Sequence, residues 1–133
     1  MSHRLLCVTA HPDDESGGFG GALLLAHRAG AETNLLCFTD GQAAHFRGTA
    51  GDDAELARMR RAELDAACAV LGLTRCEVLH YPDGALPEQN FLELVGVVVA
   101  SPWVWNTYPQ ARDAPAAAPN IHACRVSCRH CLW

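Results

Sequence analysis

The chain has 133 residues with 15 acidic and 10 basic side chains, a formal net charge of −5. That length suits a single domain, and the mild negative charge argues against a nucleic-acid-coating surface, because phosphate binding needs clustered cations. No apolar run approaches the roughly 20 residues of a bilayer-spanning helix. The first apolar stretch stops at His11, too early for a signal peptide. We therefore predict a cytoplasmic protein whose seven cysteines are thiols or metal ligands rather than disulfides.

The composition changes near residue 100. All ten basic residues are arginine, and residues 101–133 contain all three tryptophans and four of the seven prolines. Proline opposes regular structure, and this stretch shows neither helical nor strand periodicity. We predict a domain over residues 1–100, followed over residues 101–133 by an irregular tail that is either disordered or translated out of frame.

Strands and helices are predicted to alternate along the body of the chain. Apolar runs indicate strands at 4–10, 33–39 and 76–81, and helices are expected at 20–29 and from Asp52 or Asp53 to Gly72. Residues 91–100 begin like a helix, although three consecutive valines make the end of this stretch ambiguous. This order predicts an α/β fold with a parallel sheet and helical crossovers. Three strands fall short of the usual four to six, so the sheet is expected to be incomplete on its C-terminal side.

A dense cluster of polar side chains follows the first predicted strand. Residues 11–15 read His-Pro-Asp-Asp-Glu, at the sheet edge where open α/β folds bind ligands. An imidazole and carboxylates together suit zinc, which acidifies a bound water for attack on a carbonyl while a neighbouring carboxylate takes the proton. The alternative is a polar turn whose acids stabilise a helix N-terminus. Spacing alone supplies only two metal ligands.

The residues at this point resemble a known family. The hexapeptide from Ala10 to Glu15 is similar to the signature of the PIG-L/LmbE family of zinc-dependent N-deacetylases. Gly20-Gly21 and the stretches 38–41 (FTDG), 60–64 (RRAEL) and 81–84 (YPDG) follow in the family's order. The resemblance covers residues 4 to about 98. It implies a Rossmann-like fold and a hydrolase that removes an N-acetyl group from an amino-sugar conjugate, a C–N bond cleavage in a linear amide.

The resemblance also implies roles in metal binding and proton transfer. By it, His11 and Asp14 would bind Zn²⁺, and Asp13 would be the general base that activates the zinc-bound water. Glu15 would orient the ligands through hydrogen bonds. The partner would be a small amino-sugar conjugate, with no nucleic acid and no membrane span.

Three further side chains are candidates for substrate contact by the same resemblance. These are Arg60 and Arg61 on the second helix and Asp83 in the loop after the third strand. The alternative for Arg61 is a solvated helix face, and the alternative for Asp83 is an ordinary turn residue.

The family's second metal motif, usually His-Pro-Asp-His, has no counterpart in this sequence. His122 and His130 lie downstream, but neither precedes Pro-Asp. The resemblance therefore predicts the N-terminal part of such an enzyme, with weak zinc binding and impaired activity. The alternatives are a nonfunctional fragment, or a metal-binding module that uses Cys124, Cys128 and Cys131 of the tail.

Overall fold

A computed structural model describes residues 3–101 and residue 103. It contains three strands, β1 (Arg4–Thr9), β2 (Glu32–Thr39) and β3 (Arg75–Tyr81). The helices are α1 (Asp14–Gly17), α2 (Gly20–Arg28), α3 (Asp53–Leu71) and α4 (Phe91–Ala100), with a short 3-10 turn at Leu86–Glu88. The predicted alternation of strands and helices is confirmed.

The three strands form a parallel sheet in the order β1-β2-β3. Cys7 of β1 lies opposite Leu35 of β2, which in turn lies opposite Cys76 of β3. The central strand β2 is buried from Thr33 to Thr39. The outer edge of β1 pairs with no other strand among the described residues. The predicted parallel α/β sheet is therefore correct, and its carboxyl ends meet along one edge.

The sheet carries a hydrophobic core on each face. Alternate residues of a strand point to opposite faces, so Leu35 faces α2 and α3 while Leu36 faces α4. The first layer is built from ten buried residues of the sheet, α2 and α3, and of the turn after α3: Cys7, Leu23, Leu35, Cys37, Leu64, Cys68, Leu71, Leu73, Cys76 and Val78. The second contains Leu36, Phe38, Leu79, Val97 and Trp103. The helices thus cover both faces and leave the loops at the strand ends to form a site.

Helix α3 begins and ends where the sequence predicts. The Asp52 side chain accepts a hydrogen bond from the backbone N–H of Glu55 at 2.7 Å and satisfies one of the free donors at the helix start. Gly72 ends the helix in the left-handed conformation, at φ 68°. Because both ends of α3 are fixed, the positions of the arginines in its middle are fixed relative to the sheet.

Helix α4 includes the valine-rich stretch that the sequence left ambiguous. The Asn90 side chain accepts hydrogen bonds from the backbone N–H groups of Leu92 and Glu93, which starts the helix. Val97 is buried against the sheet, so tertiary packing overrides the weak helix propensity of valine.

The first residues after α4 pack in the core. Ser101 is buried, and Trp103 is 8% exposed in the layer under α4. Both residues belong to the predicted tail. The rest of the predicted tail lies outside the described residues. Within the described ranges, no helix combines the length and the apolar character needed to cross a membrane.

Candidate active site

The loops after the three strands are tied together by hydrogen bonds. Thr39, the last residue of β2, donates from its backbone N–H and its hydroxyl to the carbonyl oxygen of Ala10, at 3.0 and 2.9 Å. Ala43 donates its backbone N–H to Asp83 Oδ2 at 2.8 Å. These bonds join the loop after β2 to both of its neighbours, so residues far apart in sequence share one edge of the sheet.

His11 is held between two carboxylates. Its Nε2 lies 2.9 Å from Asp83 Oδ1, and its Nδ1 lies 3.6 Å from Asp14 Oδ2. Its backbone N–H donates to the same Asp14 oxygen at 3.0 Å. A carboxylate only accepts hydrogen bonds, so a neutral imidazole with its proton on Nε2, the nitrogen nearer to a carboxylate, would turn the Nδ1 lone pair towards Asp14. The two atoms that face each other, Nδ1 of His11 and Oδ2 of Asp14, are both of the kind that binds zinc.

Asp83 is almost fully enclosed, with a side chain that is 6% exposed. One of its carboxylate oxygens lies 2.9 Å from His11 Nε2, and the other accepts a hydrogen bond from the backbone N–H of Ala43. The structure therefore places the enclosed Asp83 carboxylate against the Nε2 side of the His11 imidazole. This position would allow Asp83 to orient His11, and because Asp83 also lines the neighbouring cleft, its contact with a substrate stays a prediction.

Asp13 combines an unusual backbone with an exposed carboxylate. Its φ is 124°, the single positive φ among the described non-glycine residues, in a region that costs free energy for a residue with a Cβ. Its backbone N–H donates to Glu15 Oε2 at 3.0 Å. Glu15 is 1% exposed and also accepts from the Ser16 hydroxyl. Glu15 thus supports the backbone of the cluster from below, while the side chain of Asp13 stays at the surface.

The two candidate arginines of α3 have different surroundings. Arg60 Nη2 donates to Asp13 Oδ2 at 2.7 Å and to the carbonyl oxygen of Pro12. Arg61 instead donates from Nε to Asp65 Oδ1 at 3.3 Å, four residues along the same helix. The structure therefore brings Arg60 to the cluster, whereas Arg61 pairs within α3.

A cleft of about 310 Å³ opens beside these residues. Its lining combines candidate side chains with small residues of the neighbouring loops, namely His11, Asp13, Gly41, Ala43, Ala44, Arg60, Asp83 and Gly84. Because small residues form one wall, the imidazole and the Asp13 carboxylate are accessible from the cleft.

The donor atoms fit one side of a zinc site. Nδ1 of His11 and Oδ2 of Asp14 are close enough to share an ion, since zinc binds nitrogen and oxygen at about 2.0–2.2 Å. Among the described residues, no group of three or more histidine, cysteine, aspartate or glutamate side chains is arranged to hold a metal. The described part of the chain thus offers two candidate donors, whereas a catalytic zinc site takes three from a protein.

A second histidine–aspartate pair, which the sequence did not predict, lies at the same edge. His80 Nδ1 lies 2.6 Å from Asp40 Oδ2. The two residues are 40 positions apart, and the only available signal was that each lies at the end of a neighbouring predicted strand. His80 and Asp40 do not line the cleft beside His11.

The four described cysteines are free, buried thiols. Burial raises the pKa of Cys7, and the nearby negative charges of Glu15 and Asp14 raise it further. Cys7 therefore stays protonated at neutral pH and packs as a small apolar side chain below the cluster.

Comparison with known proteins identifies relatives of the chain. The model of the PIG-L family, described as GlcNAc-PI de-N-acetylase, matches residues 6–112. A 1D-myo-inositol 2-acetamido-2-deoxy-alpha-D-glucopyranoside deacetylase from Saccharopolyspora erythraea is 32% identical over 90% of this chain. A diacetylchitobiose deacetylase from Thermococcus kodakarensis is 31% identical over 84% of it. The match spans only 37% and 46% of these two relatives, so the chain is similar to less than half of each.

Solved structures show the same fold. The N,N'-diacetylchitobiose deacetylase from Pyrococcus horikoshii superposes on 74% of this chain with a TM-score of 0.63 and 29% identity, and 36% of that protein is covered. The 4-carboxy-2-hydroxymuconate hydratase from Pseudomonas putida covers the same share with a TM-score of 0.56 and 25% identity, over 42% of its own length. Since a hydratase and a deacetylase share this fold, the reaction must be argued from the site.

Proposed function

The chain belongs to the PIG-L family, and from that premise we propose that it carries the metal-binding and base residues of a zinc-dependent hydrolase of N-acetylated amino sugars. The observation that carries the proposal is the pair formed by His11 Nδ1 and Asp14 Oδ2, 3.6 Å apart, with Asp13 between the two residues in sequence. Both relatives named above are deacetylases of N-acetylated sugar compounds, which favours hydrolysis over hydration.

Each residue of the cluster has a distinct task in this proposal. His11 and Asp14 would hold the zinc ion, which when bound lowers the pKa of water and polarises a carbonyl group. Asp13, exposed at the cleft, accepts the proton of the attacking water. Asp83 keeps the imidazole of His11 in the tautomer that leaves Nδ1 free, and Glu15 fixes the backbone at Asp13. The products are acetate and a free amine.

The relatives and the cleft both support a substrate class for this proposal. We propose an N-acetylglucosaminyl conjugate, with its acetamide group directed at Asp13 and the remainder in the cleft beside Gly41 and Gly84. A cytoplasmic location and a small-molecule partner belong to the same proposal.

The test is acetate release from an N-acetylglucosaminyl-inositol and from N,N'-diacetylchitobiose. With added zinc, we expect slow turnover that a chelator removes. Asp13→Asn should lower the rate by about 10²- to 10⁴-fold, the usual contribution of a general base, and His11→Ala should abolish it together with zinc binding. Asp40→Asn is the matched control, because it makes the same change at the same sheet edge, outside the cleft.

Two results would contradict the proposal. Acetate release that persists in His11→Ala would exclude the proposed metal ligand. No release from either substrate, in a chain that binds zinc and unfolds cooperatively, would show that these residues alone are not a working deacetylase.

A further inference from the structure

Arg60 reaches across the fold to the residues of the first loop. It lies in the middle of α3, 47 positions after Asp13, and donates through one nitrogen to the Asp13 carboxylate at 2.7 Å and to the carbonyl oxygen of Pro12. The Arg60 side chain is 17% exposed, whereas that of Asp13 is 70% exposed. A largely buried cation therefore fixes the orientation of a carboxylate that would otherwise rotate freely in solvent.

The same contacts fix the backbone at Asp13. The peptide group between Pro12 and Asp13 accepts a hydrogen bond at its oxygen from Arg60 and donates one at its nitrogen to Glu15. Because this peptide plane is held at both ends, the positive φ of Asp13 is maintained despite its cost. Arg60 thus acts on both the backbone and the side chain of the same residue.

Gly41 provides the space that this contact needs. A Cβ at residue 41 would lie 2.6 Å from Arg60 Nε, 3.0 Å from Arg60 Cδ and 3.1 Å from Pro12 Cδ. The φ of Gly41 is 69°, which also favours glycine. The backbone of Gly41 therefore forms the wall against which the Arg60 side chain passes to reach Asp13.

We propose that Arg60 is a positioning residue that sets the orientation of the Asp13 carboxylate, and that Gly41 is the spacer that admits it. The inference rests on the proposed function for the role of Asp13 as base. A positioning role for Arg60 differs from a substrate contact in its kinetic consequence. A residue that orients the base changes kcat, whereas a residue that binds the substrate equally in ground and transition states changes KM.

The experiment compares Arg60→Met, Arg60→Lys and Gly41→Ala in the full chain, with N,N'-diacetylchitobiose as substrate. We expect kcat to fall about 10- to 100-fold in both Arg60→Met and Gly41→Ala, since misplacement of a catalytic group by about 1 Å costs up to 10²-fold. In Arg60→Met we expect KM to be unchanged, whereas the KM of Gly41→Ala is not part of the test because Gly41 also lines the proposed substrate cleft. Arg60→Lys should lie between these variants and the wild type, because it keeps the charge but not the planar group.

Two matched controls separate this effect from general damage. Arg58→Met removes a charge from an exposed position of α3. Gly30→Ala introduces a Cβ at a similar φ of 79°, where no atom lies within 4 Å. Both controls should retain the wild-type kcat. A rise in KM with unchanged kcat in Arg60→Met would overturn the inference in favour of substrate binding.

A second measurement does not depend on activity. A double-mutant cycle compares the thermal unfolding of Arg60→Met, Asp13→Asn and the double variant. Because the two side chains interact, the destabilisation of the double variant should differ from the sum of the two single destabilisations. If the wild type releases no acetate, the proposed function fails. The double-mutant cycle then tests only whether the side chains of Arg60 and Asp13 interact. Non-additive effects support the positioning of Asp13 by Arg60, and strictly additive effects overturn it.

Discussion

The sequence around Asp83 is typical of an exposed turn, but the structure encloses the Asp83 side chain. One of its carboxylate oxygens lies beside His11 Nε2, and the other accepts a hydrogen bond from the backbone N–H of Ala43. A carboxylate that accepts a hydrogen bond from a metal-binding imidazole fixes the tautomer and raises the basicity of the nitrogen that binds the metal, and Asp83 is placed to do this for His11 in the proposed zinc site. The side chain therefore acts on the proposed zinc site without contacting the ion.

We predict that Asp83→Asn weakens zinc binding by about 10- to 100-fold, the range typical of such orienting partners. An amide replaces one of the two carboxylate oxygens with an NH₂ donor, so it cannot place an acceptor atom at both His11 Nε2 and the Ala43 N–H, and it carries no charge. Competition with a chromophoric chelator measures the affinity. Asp40→Asn, which alters the separate pair with His80, should leave it unchanged. Equal zinc affinity in wild type and Asp83→Asn would contradict this role.

The cluster itself could be predicted from sequence because its members are neighbours in the chain. His11, Asp13, Asp14 and Glu15 lie within five positions, directly after an apolar strand. The partners of these residues could not be predicted, since Asp83 and Arg60 reach them only through the packing of β3 and α3. Local spacing therefore identified the groups, and tertiary contacts identified what orients them.

Strand β2 is the most enclosed element, with every residue from Thr33 to Thr39 buried. Within it, burial raises the pKa of the Cys37 thiol to about 11, against an ordinary value of 9.0. The cause is the loss of water around a thiolate in this buried strand. The raised pKa of Cys37 therefore makes the stability of the fold depend on pH in the alkaline range.

We predict that the free energy of unfolding falls between pH 9 and pH 11. In this window the unfolded thiol has lost its proton and the folded thiol keeps it, so a rise in pH favours the unfolded chain, by about 2–3 kcal/mol for Cys37 in total. Urea unfolding at pH 8 and at pH 10.5 measures the change. Cys37→Ala should be less stable at pH 8 but should lose less stability on going to pH 10.5. An identical pH dependence in both proteins would show that another group is responsible.

Helix α4 illustrates how packing decides an element that local preference leaves open. Three consecutive valines fit a strand as well as a helix, and the Asn90 cap is a weak signal by itself. The burial of Val97 against Leu36 and Leu79 of the sheet selects the helix. By contrast, α3 has an aspartate cap, a terminal glycine and a long amphipathic pattern, so its limits were readable in advance.

At the scale of the whole molecule, the packed region extends past the change in composition. Trp103 joins the core layer under α4, and the family model matches up to residue 112. Composition predicted a boundary near residue 100 because tryptophan and proline accumulate there. It could not show that the first of these tryptophans fills a space beside the sheet.

We predict that Trp103→Ala destabilises the fold by about 3–5 kcal/mol, the usual cost of removing a buried large aromatic side chain. Trp103 is 8% exposed, whereas Phe91 on the same side of the fold is 73% exposed. Phe91→Ala is therefore the control and should change stability by less than about 0.5 kcal/mol. The midpoints of thermal unfolding compare the two variants. Similar midpoints for both would place Trp103 outside the core.

The sequence by itself determined the class of fold, the limits of α3 and the position of the cluster after β1. These features depend on apolar periodicity, helix caps and residues adjacent in the chain, all of which are local. Only the tertiary structure decided that Asp83 holds His11, that Arg60 reaches Asp13 past Gly41, and that Trp103 belongs to the core. Each of these contacts joins residues separated by many positions, and their distances are set by how α3, α4 and the strands pack.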